Sequence, residues 1–215
     1  MKKIIHLFVF LFAFNGNVSA TPISGIDFTS VSTSAGTADY LPLTLGFQFS
    51  TNTDINITQL GAFDFNQDGF VVSHDVGLWD AAGNLLASTT VSSSDTLNGF
   101  FRYGAISSIL LTAGASYFVG ANNYGGTFTG SLDIYAQTVN GLTPASEVNY
   151  LSSAFGLNND FSAALVFPTG SASDKNGYYG ANFMFEASSV PEPATLALLG
   201  LGLAGIGFSR KKKTV

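Results

Sequence analysis

Apolar and polar residues alternate with a period of two along much of the chain, the signature of half-buried β-strands. Leu43, Leu45, Phe47 and Phe49 fall on one face, and Thr44, Gly46, Gln48 and Ser50 on the other. Ile55 and Ile57, continued by Phe63 and Phe65, carry a second alternation; Tyr117, Val119 and Ala121 carry a third. Leu132 with Ile134, and Phe183 with Phe185, mark further short strands. Glycine, Asn, Asp and Ser cluster between these runs, as turns require. No long segment combines a 3.6-residue period with helix caps. The pattern predicts an all-β domain, an antiparallel β-sandwich or jelly roll. A parallel sheet is disfavoured because its crossover helices are missing.

One hairpin can be placed. Val76-Gly77-Leu78-Trp79 leads into Asp80-Ala81-Ala82-Gly83-Asn84, and Leu85 to Val91 returns. The Asp80 carboxylate can accept bonds from the turn amides, and Gly83 can take a positive φ. Trp79 then packs into the core or between strands; the rival reading is an exposed platform for stacking a sugar. Residues 141–173 are less regular. They predict a long excursion over one end of the sandwich, with one or two strands. Tyr150, Phe155, Phe161, Leu165 and Phe167 must still find cover there.

The two ends break the pattern. Lys2 and Lys3 precede an apolar run from Ile4 to Phe14, and Val18-Ser19-Ala20 supplies small residues for cleavage. The run is ~11 residues, short of the roughly 18–20 that a spanning helix needs. Residues 1–20 therefore predict a signal helix handled by the secretion machinery and cut by signal peptidase between Ala20 and Thr21. At the other end Val190-Pro191-Glu192-Pro193 forms a stiff break. Ala194 to Phe208 is uncharged and apolar, and Arg210, Lys211, Lys212 and Lys213 follow. The apolar stretch makes about 22 Å of helix at ~1.5 Å per residue, enough to cross a locally thinned bilayer. The basic cluster should stay on the cytoplasmic side, with the core outside. The expected organisation is a signal peptide at 1–20, an ectodomain at 21–189 and a tail at 190–215.

This tail resembles the PEP-CTERM sorting signal of Gram-negative bacteria that make exopolysaccharide. Pro191, Glu192, Pro193, the hydrophobic stretch and Arg210 to Lys213 carry the resemblance. It implies recognition and processing by an exosortase, a membrane cysteine protease, with this chain as substrate. Gly200-Leu201-Gly202-Leu203-Ala204-Gly205 also matches G-x-G-x-x-G. A dinucleotide site needs a βαβ unit around that motif, and a terminal apolar segment supplies none.

Composition sharpens the picture. Only 10% of residues are charged, against roughly 25% in an ordinary globular protein. With no cysteine, a disulfide framework, a thiolate metal site and a cysteine nucleophile are all excluded. The formal charge of −6 averages unlike parts. Residues 21–189 hold thirteen acids against only Arg102 and Lys175, a formal charge of −11. That surface repels nucleic acid and anionic polysaccharide. Neutral or cation-bridged exopolysaccharide remains a fitting partner, and Trp79 and Tyr124 are the candidate glycan contacts.

Chemistry in the core is sparse. Asp64, Asn66 and Asp68, followed by Gly69, occupy positions 1, 3, 5 and 6 of a calcium loop. Phe70 at position 7 would offer its carbonyl, and Asp75 stands at position 12. Against a calcium site, a strand precedes Asp64 where an EF-hand has a helix, and Val72 at position 9 offers no side-chain oxygen. A plain inter-strand loop is the competing reading. His74 is the one histidine of the ectodomain and is expected in a turn or on the surface. Alternation sends Asp75 to the opposite face from it. There is no G-x-S-x-G elbow. Asp133, Glu147, Asp160 and Glu186 offer no evident glycosidase pair. No catalytic residue is expected.

The stretch from Leu45 to Asn123 resembles the DUF4082-like β-sandwich ectodomains that precede PEP-CTERM tails. The resemblance rests on Ile57-Thr58-Gln59-Leu60-Gly61, His74-Asp75-Val76-Gly77-Leu78-Trp79, Gly83-Asn84-Leu85-Leu86 and Leu111-Thr112-Ala113-Gly114-Ala115-Ser116-Tyr117. It implies a fold but no activity. The expectation is a non-enzymatic exported protein of the cell surface or extracellular matrix, held transiently in the inner membrane, with a structural or adhesive sandwich. A glycan-binding module, calcium-dependent or not, is the alternative; a polysaccharide hydrolase is a more distant one.

Overall fold

A computed structural model describes residues 21–34, 43–122, 135–157, 164–172 and 177–187, together with Gly200, Gly202 and Leu203. The strands expected at Leu132 and Ile134, the signal helix, and most of the apolar tail lie outside these residues. Among the described residues no helix is long and apolar enough to cross a membrane.

The core is all-β, and every strand pair is antiparallel. One sheet has five strands: β1 (Ile23–Ser24), β5 (Ile55–Phe63), β8 (Thr96–Asn98), β9 (Phe101–Leu111) and β15 (Ala181–Ala187), in the order β1-β15-β5-β9-β8. The other has six: β4 (Leu43–Thr51), β6 (His74–Asp80), β7 (Leu85–Val91), β10 (Ser116–Asn122), β13 (Val148–Leu157) and β14 (Gly170–Ala172), in the order β14-β13-β4-β10-β6-β7. Two small ladders pair β2 (Ile26–Asp27) with β12 (Thr143–Pro144) and β3 (Ser30–Ser34) with β11 (Ala136–Asn140).

The alternation explains the layering. Phe47 and Phe49 of β4 point inward and meet Phe183 of β15 from the opposite sheet, with ring centroids 6.3 and 4.5 Å apart. Ile55, Ile57, Leu60, Val76, Leu78 and Val119 complete a continuous core. Offset aromatic pairs add about 0.5–1.5 kcal/mol each beyond the area they bury. With no cysteine in the chain, this packing takes the place of disulfides. The β6–β7 hairpin forms where expected. Asp80 Oδ1 accepts the amides of Ala82 and Asn84, both at 2.9 Å, and Gly83 sits at φ 86°. Bonds from Asn84 hold the Asp80 carboxyl below its usual range.

Two expectations are corrected. Phe65 does not continue β5; the strand ends at Phe63, and Phe65 packs on the Phe63 ring from the following loop. Residues 141–173 are more than an excursion over one end. Their β13 lies between β4 and β14 inside the six-stranded sheet and pairs with β4 over its whole length. A register shift between Tyr150 and Ser152 leaves Leu151 unpaired and exposed. The bulge flips the alternation halfway along the strand, so the period of two is hidden.

The chain enters and leaves the fold at one place. Ile23 pairs with Phe185 and Ser24 with Met184. Asn182 fastens this corner. Its fully buried amide donates to Ile26 O at 2.8 Å, Ser24 Oγ at 3.0 Å and Tyr103 Oη at 3.0 Å, and accepts from the amides of Ile26 and Phe183. Burial pushes the Tyr103 phenol well above its ordinary pKa.

Candidate functional site

Asp64, Asn66, Asp68, Phe70, His74, Asp75 and Trp79 all lie on β6 or in the loop that leads to it from β5, but not as a ligand set. Asp64 follows β5 directly, and its side chain is fully buried. Its Oδ2 accepts from Arg102 Nε at 2.6 Å and from the Gly69 amide at 3.1 Å. Arg102, on β9, also donates from Nη1 to Ser93 O and Asp95 O, at 3.0 and 3.1 Å, and from Nη2 to Gln67 O at 3.4 Å. The 64–70 loop thus closes around a guanidinium, with Gln67 and Gly69 in the left-handed region at φ 61° and 100°. Ser93 Oγ bonds the Phe70 amide and carbonyl from the neighbouring turn.

This geometry bears on the calcium reading. Asn66 and Asp68 face solvent. Asp75, on β6, takes a 2.6 Å bond from Thr90 Oγ1. Among the described residues no three His, Cys, Asp or Glu side chains gather into a metal-holding group. The charge of Asp64 is already met by Arg102. The sequence signal for this pairing was the rarity of bases: Arg102 is one of only two in residues 21–189.

His74 is not on the surface. It is 7% exposed, bonds Asn122 O through Nδ1 at 2.9 Å, and meets the Phe70 ring edge-on at 4.9 Å. The Asn122 side chain accepts the next amide, that of Asp75, at 2.8 Å. Burial lowers the His74 pKa below 6.5, outweighing the carbonyl and Asp75, which raise it. The unfolded chain therefore takes up a proton at a higher pH than the folded one. Stability from this source is complete above the ordinary histidine range and falls as the pH drops below 6.5, until the folded-state pKa is passed. Urea unfolding between pH 5 and 7.5 should show that decline, and His74→Gln should flatten it; an equal slope in the variant would refute the assignment.

Trp79 does not present an exposed face. It is 4% exposed and sits on the outer face of the six-stranded sheet, opposite the Val76 and Leu78 side. Gly77 pairs with Gly120, Gly120 with Gly46, and Gly46 with Ala154, so a row of minimal side chains crosses four strands. The indole lies on this row: a Cβ at Gly77 would sit 2.4 Å from it. Phe167 caps the ring at 6.3 Å and meets Phe118 edge-on at 5.0 Å. Thr44 Oγ1 accepts the Val166 amide at 2.9 Å and holds that segment down. Tyr124, the other glycan candidate, lies outside the described residues, as do Ala20 and the tail residues Pro191, Glu192, Pro193, Arg210, Lys211, Lys212 and Lys213.

Beside the covered indole is an open cleft of about 400 Å³, lined by Asp75, Ser88, Thr89, Thr90, Ala164 and Leu165. Among the described residues its lining offers three hydroxyls and one carboxylate, groups that suit a neutral polyol, and no aromatic ring. Residues 29–184 match the family model of DUF4082, a domain of unknown function, over a longer stretch than the sequence motifs covered. Residues 189–211 match the PEP-CTERM protein-sorting motif. No curated protein and no solved structure matches the chain significantly.

Proposed function

The chain belongs to the DUF4082 family, and from that premise we propose that it is an exported, non-enzymatic protein of the cell surface or extracellular matrix whose sandwich is structural or adhesive. The PEP-CTERM motif carries the reading: it marks the chain for export, membrane anchoring and processing by an exosortase-type protease. The motif begins at residue 189, just after β15 ends at Ala187. Because β1 pairs with β15, the signal peptide and the sorting tail both join the sandwich at the same corner. The core then hangs from the membrane by one end until it is processed, with Arg210 to Lys213 on the cytoplasmic side. The buried state of His74 and the Arg102 bond of Asp64 support a non-catalytic core.

Mass spectrometry of the mature protein should find Thr21 at its N-terminus and no residue beyond the apolar stretch at its C-terminus. A mature chain that keeps Lys213 would sink the sorting reading. The cleft at Asp75 and Thr90 favours one second reading, binding of a neutral exopolysaccharide. Glycan-array binding that is lost in Asp75→Ala would establish it.

A further inference from the structure

The two sheets present four edges, and three of them are short. β1 has two residues, and β8 and β14 have three each. The fourth, β7, runs seven residues along the end of the six-stranded sheet. Among the described residues no strand pairs with its outer side. A bare edge offers a row of backbone donors and acceptors, which proteins block with Lys, Pro, bulges or short strands. β7 reads Leu85-Leu86-Ala87-Ser88-Thr89-Thr90-Val91, with no charge and no proline. Its one register shift is at its start, between the partners Leu78 and Trp79, so Ala87 to Val91 run regularly. Thr89 and Val91 pack inward on Gly104 of β9, while Ser88 and Thr90 are exposed.

Charge selects the occupant. Residues 21–189 carry a formal −11, so two copies repel wherever acidic surfaces meet. Between Asp80 and Asp95 there is no charged residue. The Asp75 carboxylate of β6 reaches β7 only at Thr90, whose Oγ1 donates to it at 2.6 Å. A basic partner would be drawn to the acidic remainder of the surface, whereas this neutral, β-branched strip suits a strand of its own kind. We propose that β7 pairs antiparallel with β7 of a second copy about a two-fold axis at Ser88. Leu85 then faces Val91, Leu86 faces Thr90, Ala87 faces Thr89, and Ser88 faces itself. Such an interface is isologous and closes on itself, joining two six-stranded sheets into one. It goes beyond the sorting reading and holds or fails independently of it.

The absence of native cysteine makes the test clean. The full chain carrying Ser88→Cys, purified in detergent and oxidised, should run as a covalent dimer that reductant reverses. Directly opposed residues place their Cβ atoms roughly 4.5–5.5 Å apart, close to disulfide reach. Ser94→Cys, off the strand and off the axis, should stay monomeric under the same oxidation. Ser88→Asp, which opposes two like charges at an exposed position, should shift the sedimenting species from dimer to monomer with unchanged circular dichroism. A monomeric Ser88→Cys protein, or equal cross-linking at Ser94→Cys, overturns the proposal.

Discussion

Replacing Arg102 with methionine is expected to cost the fold about 3–5 kcal/mol, the usual result of removing one partner from a buried ion pair. Asp64 would keep its place at the end of β5, fully buried, with only the Gly69 amide facing Oδ2. The loss would spread further than the pair. Arg102 donates to carbonyls of Gln67, Ser93 and Asp95, so a single side chain joins the 64–70 loop, the 92–95 turn and β9. Urea unfolding at neutral pH would measure the loss. The double variant Asp64→Leu with Arg102→Met should fall well short of the sum of the two single losses, because it removes the orphaned charge together with its partner. A single variant within about 0.5 kcal/mol of the parent, the level of an exposed ion pair, would show that the pair is not structural. Calcium should leave the parent's unfolding midpoint unmoved, since a ligand stabilises only by binding the folded state and the guanidinium already occupies Asp64.

The layered all-β core was legible in the sequence because burial on one face writes a period of two. That signal placed β4, β5, β10 and β15 and, with the Asp80–Asn84 turn, the β6–β7 hairpin. It failed at β13, where the bulge at Leu151 reverses the alternation and Ser153 points inward at a position the pattern reads as polar surface. It failed again around Asp64, for a different reason. Asp, Asn and Gly at those spacings satisfy both a calcium loop and a loop closed by its own cation. The partner that decides between them lies 38 residues away on β9. Trp79 shows a third limit. Its concealment depends on glycines from three different strands falling into one row, and only the register reveals that. The tail was legible for the opposite reason: proline break, apolar stretch and basic cluster are read in chain order, with no tertiary contact needed.

Asn182→Leu is the second large loss expected, about 3 kcal/mol, and its character should differ from that of Arg102→Met. The leucine would nearly match the amide in size, so little cavity forms; the cost comes from polar groups left behind. The amides of Ile26 and Phe183 lose an acceptor inside a buried corner, at about 1–3 kcal/mol per stranded group. Ile26 O and Tyr103 Oη lose a donor but keep Ser24 Oγ, which limits the total. Ser24→Ala should therefore cost only about 1 kcal/mol. Hydrogen exchange separates a local from a general weakening. Amides of residues 23–27 should lose protection well before β4 and β10 do, since local openings draw on local contacts. Uniform loss across both sheets would refute this role. Because β1 and β15 are partners, loosening the first also bares the strand that leads into the sorting tail. Asn182 thus holds residues 23–27 and the root of the tail in one closed corner.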